Sequence, residues 1–357
     1  MSKIGILGAG TWGMALARML SNSGHEVTVW SALPEEVDAL SSTRAHPNLP
    51  GMVIPEGILF TKSLETVCTG RDLLLFVVPS VFVRRTAHDA AAFMKDGQLV
   101  ADAAKGIEGD TLFTMSEIMA DEFGKAGLHG IRLVVLSGPT HAEEVAKDMP
   151  TTIVSASASL KDAEEVQDIF MNTCMRVYTN TDVKGVELCG ALKNVFALLS
   201  GISAGLGYGD NARAGLITRG LAEMIRLGQA MGCRMETFFG LAGVGDLIVT
   251  ATSTHSRNNQ AGYLMGRGYT PEEAVKKVGM VVEGVNALPA AIRLRDLYGV
   301  EMPIVTALQA YFEGRITASD IVTSLMGRDR TTEMIGQSAA DLMSRTLPER
   351  MEDTLQP

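Results

Sequence analysis

The stretch that decides the fold is Lys3-Ile4-Gly5-Ile6-Leu7-Gly8-Ala9-Gly10-Thr11-Trp12-Gly13-Met14-Ala15-Leu16-Ala17. It begins apolar and β-branched, as a buried strand does, and ends in small and straight-chain helix formers. Between the two lies Gly8-x-Gly10-x-x-Gly13. The three glycines allow a tight turn, a close backbone approach to a pyrophosphate, and close packing of helix on strand. The helix start offers free N–H groups and the positive end of a dipole to an anion. A second apolar run, Glu26-Val27-Thr28-Val29-Trp30, follows. Strand, glycine turn, helix and strand together make the start of a dinucleotide-binding unit. A glycine turn with no ligand is the plainer alternative.

Beyond this start, strands alternate with helical stretches. Asp72 to Ser80 is a buried strand stopped by Pro79, and Val81 to Met94 reads as a helix. Gln98–Asp102, Ile131–Leu136 and Thr151–Ser155 are further strands. The alternation predicts a parallel, doubly wound sheet with ligands beyond the C-terminal strand ends. Lys105 and Ser137-Gly138-Pro139-Thr140 follow such ends. Pro34 suits a first helical turn, with Ser31 or Ala32 near the cap. The tip of the second strand, which reads the adenosine ribose, carries neither acid nor base. His46 to Gly51 is a loop.

Near Thr181 the texture changes. From there to about Met326 the pattern is almost wholly helical, including Leu216–Leu227, a start at Thr270-Pro271-Glu272-Glu273, Ala287–Leu297, Ile304–Phe312 and Ala318–Met326. The expected division is a dinucleotide-binding domain over 1–181, a helical substrate domain over 182–343, and a disordered tail over 344–357. A length of 357 residues suits about two domains. The net charge of −10 argues against nucleic acid and requires a locally basic site for an anionic substrate. The four cysteines lack CxxC pairing and read as reduced thiols of a cytoplasmic protein. The sequence shows no signal peptide ahead of its first strand and no apolar run long enough to span a bilayer. The six histidines lack ligand spacing, so no metal is expected.

Three stretches carry chemistry. Lys193 is the one charged residue between Glu187 and Asp210. A buried amine of lowered pKa would serve as general base or acid; the alternative is a lysine whose amine snorkels to the surface. Asp246, in Gly243-Val244-Gly245-Asp246-Leu247, is either a helix cap or an acceptor that orients a lysine or a hydroxyl. Thr250 to Asn259 gathers hydroxyls, an amide and Arg257 without acids. That chemistry suits a phosphate, unless the stretch is simply a polar loop.

Gly8-Ala9-Gly10-Thr11-Trp12-Gly13, Ala104-Lys105-Gly106, Ser137-Gly138-Pro139-Thr140, Leu192-Lys193-Asn194, Gly245-Asp246-Leu247 and Ser256-Arg257-Asn258 occur in an order that resembles NAD(P)-dependent glycerol-3-phosphate dehydrogenases of the bacterial biosynthetic type. Val281-Val282-Glu283-Gly284 and Glu301-Met302-Pro303-Ile304 fit as well, so the resemblance spans about residues 3 to 330. It implies a Rossmann domain, an all-α C-terminal domain and a homodimer. It implies hydride transfer between sn-glycerol 3-phosphate and NAD(H) or NADP(H), in the cell toward glycerophospholipids. By matched position Lys193 is the proton acceptor, helped by Lys105 and oriented by Asp246. Lys105, Gly138, Thr140, Lys193, Asp246, Ser256, Arg257 and Asn258 contact substrate. Gly8, Gly10, Thr11, Trp12, Gly13, Lys105, Ala142, Arg257, Val281 and Glu283 contact the dinucleotide. Many members carry Arg or His where this chain has Ala32, which leaves the choice between NAD and NADP open. A β-hydroxyacid dehydrogenase and a dinucleotide sensor are the other readings. A tuned lysine in an apolar helix speaks against the sensor.

Overall fold

The computed structural model describes residues 1–330 and Glu333. The expected tail, and the end of the helical domain, lie outside the described residues. Eight strands form one sheet: β1 Lys3–Leu7, β2 Glu26–Trp30, β3 Leu59–Thr61, β4 Leu73–Phe76, β5 Leu99–Asp102, β6 Arg132–Ser137, β7 Thr151–Ala156 and β8 Met175–Asn180. Their order is β3-β2-β1-β4-β5-β6-β7-β8. β1 lies between β2 and β4, with Ile4 opposite both Val27 and Leu73. Apolar clusters cover the two faces. Ile4, Met14, Val27 and Leu73 belong to one, and Leu74, Phe76, Val83 and Phe123 to the other.

The expectation of a wholly parallel sheet is corrected at one seam. β7 pairs antiparallel to β6, with Leu136 opposite Ser155. A parallel return needs a crossover that spans the sheet face. The helix between these strands is only Ala142–Val145, too short to make one. β8 then runs parallel to β7. It alternates buried Met175 and Val177 with exposed Arg176 and Tyr178. That period of two is legible in the sequence as a half-buried edge strand.

The helix Pro34–Thr43 is capped at Leu33, not at Ser31 or Ala32. A residue before proline is driven to extended backbone, so the helix cannot begin earlier. The Ser31 hydroxyl still accepts from the Leu33 N–H at 3.1 Å.

From Val183 the chain is helical. Asp182 caps the central helix Val183–Gly205 by accepting from the Gly185 N–H. This helix does meet the length and apolarity of a bilayer span, contrary to the expectation above, but 94% of its most apolar window is buried within the fold. Its apolar character therefore serves a core. The helix Arg257–Gly266 packs against it backbone to backbone. A Cβ on Gly201 would overlap the Asn259 carbonyl oxygen, and one on Gly262 the Leu198 carbonyl oxygen. Gly205 and Gly266 repeat the contact one turn on. Such small-xxx-small pairing lets two helices approach where any side chain would hold them apart. Gly262→Ala should therefore cost about 1–3 kcal/mol, as overpacking of a tight core does. Urea denaturation of the purified variant measures it, with an unchanged m-value expected.

Candidate active site

The glycine turn sits at the end of β1. Gly8 has φ +122°, in the region that favours glycine, and a Cβ there would stand 2.6 Å from the Val77 carbonyl oxygen. Its N–H donates to the Trp30 carbonyl at 2.9 Å, tying the turn to the tip of β2. A Cβ on Gly13 would overlap the Gly8 carbonyl oxygen, so this glycine allows the helix Thr11–Asn22 to close on the turn. Gly10 differs, because a Cβ there would meet nothing within 4 Å. That open space faces a helix start without a side-chain cap. The first-turn N–H groups are thus presented to an open cradle, and the donor set fits a pyrophosphate. Thr11 Oγ1 accepts from Asn48 Nδ2 at 3.3 Å, and Trp12 is half-buried.

Three charged groups meet where the sheet abuts the helices. Lys193, 6% exposed, comes from the central helix and Asp246, 1% exposed, begins the helix Asp246–Thr252. A π-helical turn, Leu241–Gly245, leads into that helix. Lys105 follows the end of β5. Its amine donates to Asp246 Oδ2 at 2.6 Å and to the Gly138 carbonyl at 3.1 Å. The Lys193 amine donates to Asp246 Oδ1 and, at 2.8 Å, to Thr250 Oγ1. The Thr250 hydroxyl in turn donates to the Asp246 carbonyl at 2.7 Å.

Charge follows from this arrangement. Burial pushes the Lys193 amine down, Asp246 pulls it up and the Lys105 ammonium pushes it down, and the balance leaves it at about 7. Burial alone would raise Asp246, but the two amines beside it outweigh burial and hold its carboxyl below the usual range. The cluster is one carboxylate shared by two amines, one of which readily gives up its proton.

Of the other sequence candidates, Gly138 and Thr140 lie beside this cluster, with Thr140 Oγ1 3.3 Å from the Gly138 carbonyl it donates to. Ser256 caps the helix Arg257–Gly266 by accepting from the Asn259 N–H at 3.2 Å. Asn258 is buried; it donates to Asn194 Oδ1 at 2.8 Å and accepts from the Gly284 N–H at 2.8 Å. It thereby pins the neighbour of Lys193 to the start of the helix Glu283–Tyr298. Arg257 is exposed, and its side chain takes no hydrogen bond or ion pair among the described residues. Ala142 opens the short helix after β6, and Val281 is half-buried. Glu283 reaches across to Ser80, accepting from its hydroxyl at 2.7 Å and its N–H at 3.2 Å.

Sequence reasoning missed Thr250 as the second partner of Lys193. Its spacing of four from Asp246, on one helix face, carried that signal. It also missed His141, whose Nε2 is buried without a partner among the described residues and whose ring lies 6.0 Å from that of His255. No cluster of three or more His, Cys, Asp or Glu among the described residues could hold a metal ion.

A Rossmann-type sheet with an open glycine cradle, joined to helices that bury a lysine on a carboxylate, defines a dinucleotide-linked dehydrogenase. Two family models match the chain: the N-terminal part of NAD-dependent glycerol-3-phosphate dehydrogenase over residues 3–163, and its C-terminal part over 182–323. The chain belongs to the NAD-dependent glycerol-3-phosphate dehydrogenase family. It is 64% identical over 335 residues to glycerol-3-phosphate dehydrogenase [NAD(P)+] 2 of Lactobacillus delbrueckii, covering 94% of this chain and 99% of that one. It is 48% identical to the glycerol-3-phosphate dehydrogenase [NAD(P)+] of Agathobacter rectalis, over 93% and 98% of the two chains. The crystal structure of glycerol-3-phosphate dehydrogenase from Coxiella burnetii superposes with a TM-score of 0.87 at 34% identity, covering 92% of this chain and 99% of that one. Of the readings left open by the sequence, the family match selects the first.

The cradle makes a direct test. Gly10 has φ −64°, which any residue adopts, and no described atom lies within 4 Å of where a Cβ would stand. Gly10→Val should fold with unchanged thermal stability and lose measurable NADH binding by calorimetry, because the branched side chain fills the space a pyrophosphate needs.

Proposed function

We propose that the chain interconverts sn-glycerol 3-phosphate and dihydroxyacetone phosphate, with Lys193 taking and returning the proton at the C2 oxygen. The reaction is that of the family to which the chain belongs. The residue roles are inferred from geometry, and the observation that carries them is the buried amine on a carboxylate it shares with Lys105. NAD(H) or NADP(H), when bound, supplies the carbon that accepts or returns the hydride.

In the oxidising direction neutral Lys193 accepts the C2 hydroxyl proton. An amine whose pKa is near 7 is available in that form at neutral pH. Asp246 and Thr250 fix the amine by two hydrogen bonds, which aims its remaining capacity into the cleft. Once Lys193 is an ammonium, the ionised Asp246 beside it stabilises the new charge. In the reducing direction the ammonium polarises the ketone and returns the proton. Lys105 adds positive charge where the alkoxide develops. Ser256, Arg257 and Asn258 stand at one helix start and, in this reading, hold the substrate phosphate. The exposed, unengaged guanidinium of Arg257 supports that role, since it is free to form a charge-assisted fork. Glu283, Val281 and Ala142 are assigned to the dinucleotide side of the cleft. The reading takes a homodimer in the cytoplasm as the working form and reduction toward glycerophospholipids as its direction. Four free cysteines, three of them buried, suit a reducing compartment.

Three measurements test these roles. Lys193→Met keeps the apolar stem and removes the proton carrier, so kcat should fall about 10²–10⁴-fold with little change in NADH affinity. In the native chain, glycerol 3-phosphate oxidation should rise with pH through about 7, as Lys193 loses its proton, and dihydroxyacetone phosphate reduction should fall over the same range. Near-native turnover of Lys193→Met with an unshifted profile would transfer the role to another group, Lys105 first. Arg257→Ala should raise KM for dihydroxyacetone phosphate roughly tenfold or more, the size of a lost charged hydrogen bond. The same change should leave the already poor unphosphorylated dihydroxyacetone untouched.

A further inference from the structure

The tip of β2 carries an acid that the linear sequence hides. Ser31, the residue after Trp30, is buried, and its hydroxyl donates to Glu36 Oε2 at 2.5 Å. Glu36 stands in the first turn of the helix Pro34–Thr43, so that turn folds its carboxylate back onto the strand end. Glu36 is half-buried, and its other oxygen, Oε1, accepts no hydrogen bond among the described residues. The Gly8 N–H donates to the carbonyl of Trp30, the residue before Ser31, so the strand end that holds this carboxylate is also tied to the glycine turn.

The surrounding charges reinforce it. Glu35 shares the first turn, and Asp38 follows. Lys62 and Arg44, on this side of the sheet, are already engaged. Lys62 pairs with Asp38 at 2.6 Å. Arg44 donates to the Ile58 carbonyl at 2.8 Å, reaches those of Pro55 and Glu56, and stacks on Phe60. Ala32, exposed beside them, has no charge to offer.

We propose that Glu36, held in place by Ser31, sets the choice of dinucleotide: it accepts a hydrogen bond from the adenosine ribose of NAD(H) and repels the 2′-phosphate of NADP(H). In dinucleotide folds an acid at this tip bonds the ribose hydroxyls, and a base accommodates the phosphate. Here the acid arrives from six residues beyond the strand end, carried by a helical turn and fixed by a serine. Discrimination comes from both signs at once, an acceptor for the wanted hydroxyl and a repulsive charge for the unwanted group. The inference rests on the reading of the Gly8–Gly13 turn as the dinucleotide cradle.

Calorimetric Kd values for NADH and NADPH on the native chain, Glu36→Gln and Ala32→Arg test it without turnover. The native chain should bind NADH roughly tenfold or more tightly than NADPH, the scale of one charged hydrogen bond. Glu36→Gln keeps an acceptor for Ser31 but removes the charge, and should narrow that ratio by a similar factor, chiefly by improving NADPH. Ala32→Arg should narrow it further. Equal or tighter binding of NADPH by the native chain would overturn the inference and leave the cradle standing. So would a Glu36→Gln variant with a shifted melting temperature and an unchanged ratio, which would make the carboxylate a helix brace only. Binding of neither dinucleotide would overturn the cradle, and the inference with it.

Discussion

One buried carboxylate holds two amines, and the site depends on it. Asp246 is 1% exposed and would be expensive to ionise alone. Lys193 and Lys105 compensate it on separate oxygens, and Thr250 and the Gly138 carbonyl complete the amines' hydrogen bonds. Two positive charges against one negative leave the cluster with a proton to spare. Removing the carboxylate would strand two amines in a site of low dielectric, a loss on the order of 3–5 kcal/mol for a broken buried pair. Burial, helped by the Lys105 ammonium and opposed by Asp246, gives Lys193 a usable proton equilibrium near neutrality, where an isolated surface lysine would stay charged.

The elements that deliver these groups are ordered by backbone contact. The central helix carries Lys193 and Asn194, and the glycine faces at Gly201, Gly205, Gly262 and Gly266 press the helix Arg257–Gly266 onto it. Asn258 closes the joint by bonding Asn194 and Gly284. Its amide is already engaged, so it sets the spacing between Asn194, the neighbour of Lys193, and the helix start at Ser256. Arg257, beside it, is left exposed.

Much of this was legible in the chain. The Gly8–Gly13 turn announces itself because its residue types are forced by backbone geometry. Lys193 stands out because a lone charge in a long apolar helix has few physical excuses. Strands β1, β2, β4, β5, β6 and β7 read directly from apolar runs. What escaped depended on neighbours distant in sequence. The reversal at β7 goes with a connection whose helix is a single turn, Ala142–Val145, and β3 has only three residues to signal it. Thr250 lies one helical turn past Asp246, and Glu36 in the first turn of the helix beyond the strand end, so a reading that stops at strand tips and short motifs overlooks them. The second strand's tip looked chargeless for that reason.

Lys105 comes from a different part of the fold than its partners. It hangs from the end of β5, whereas Lys193, Asp246 and Thr250 all belong to the helical part. The proton affinity of Lys193 is thus partly set by a charge mounted on the sheet, across a seam bridged also by Glu283 and Ser80. If the seam widened, Lys193 would lose a repelling neighbour and hold its proton more firmly; if it tightened, the proton would be released more readily. The distance between the two halves of the molecule is therefore written into the basicity of one amine.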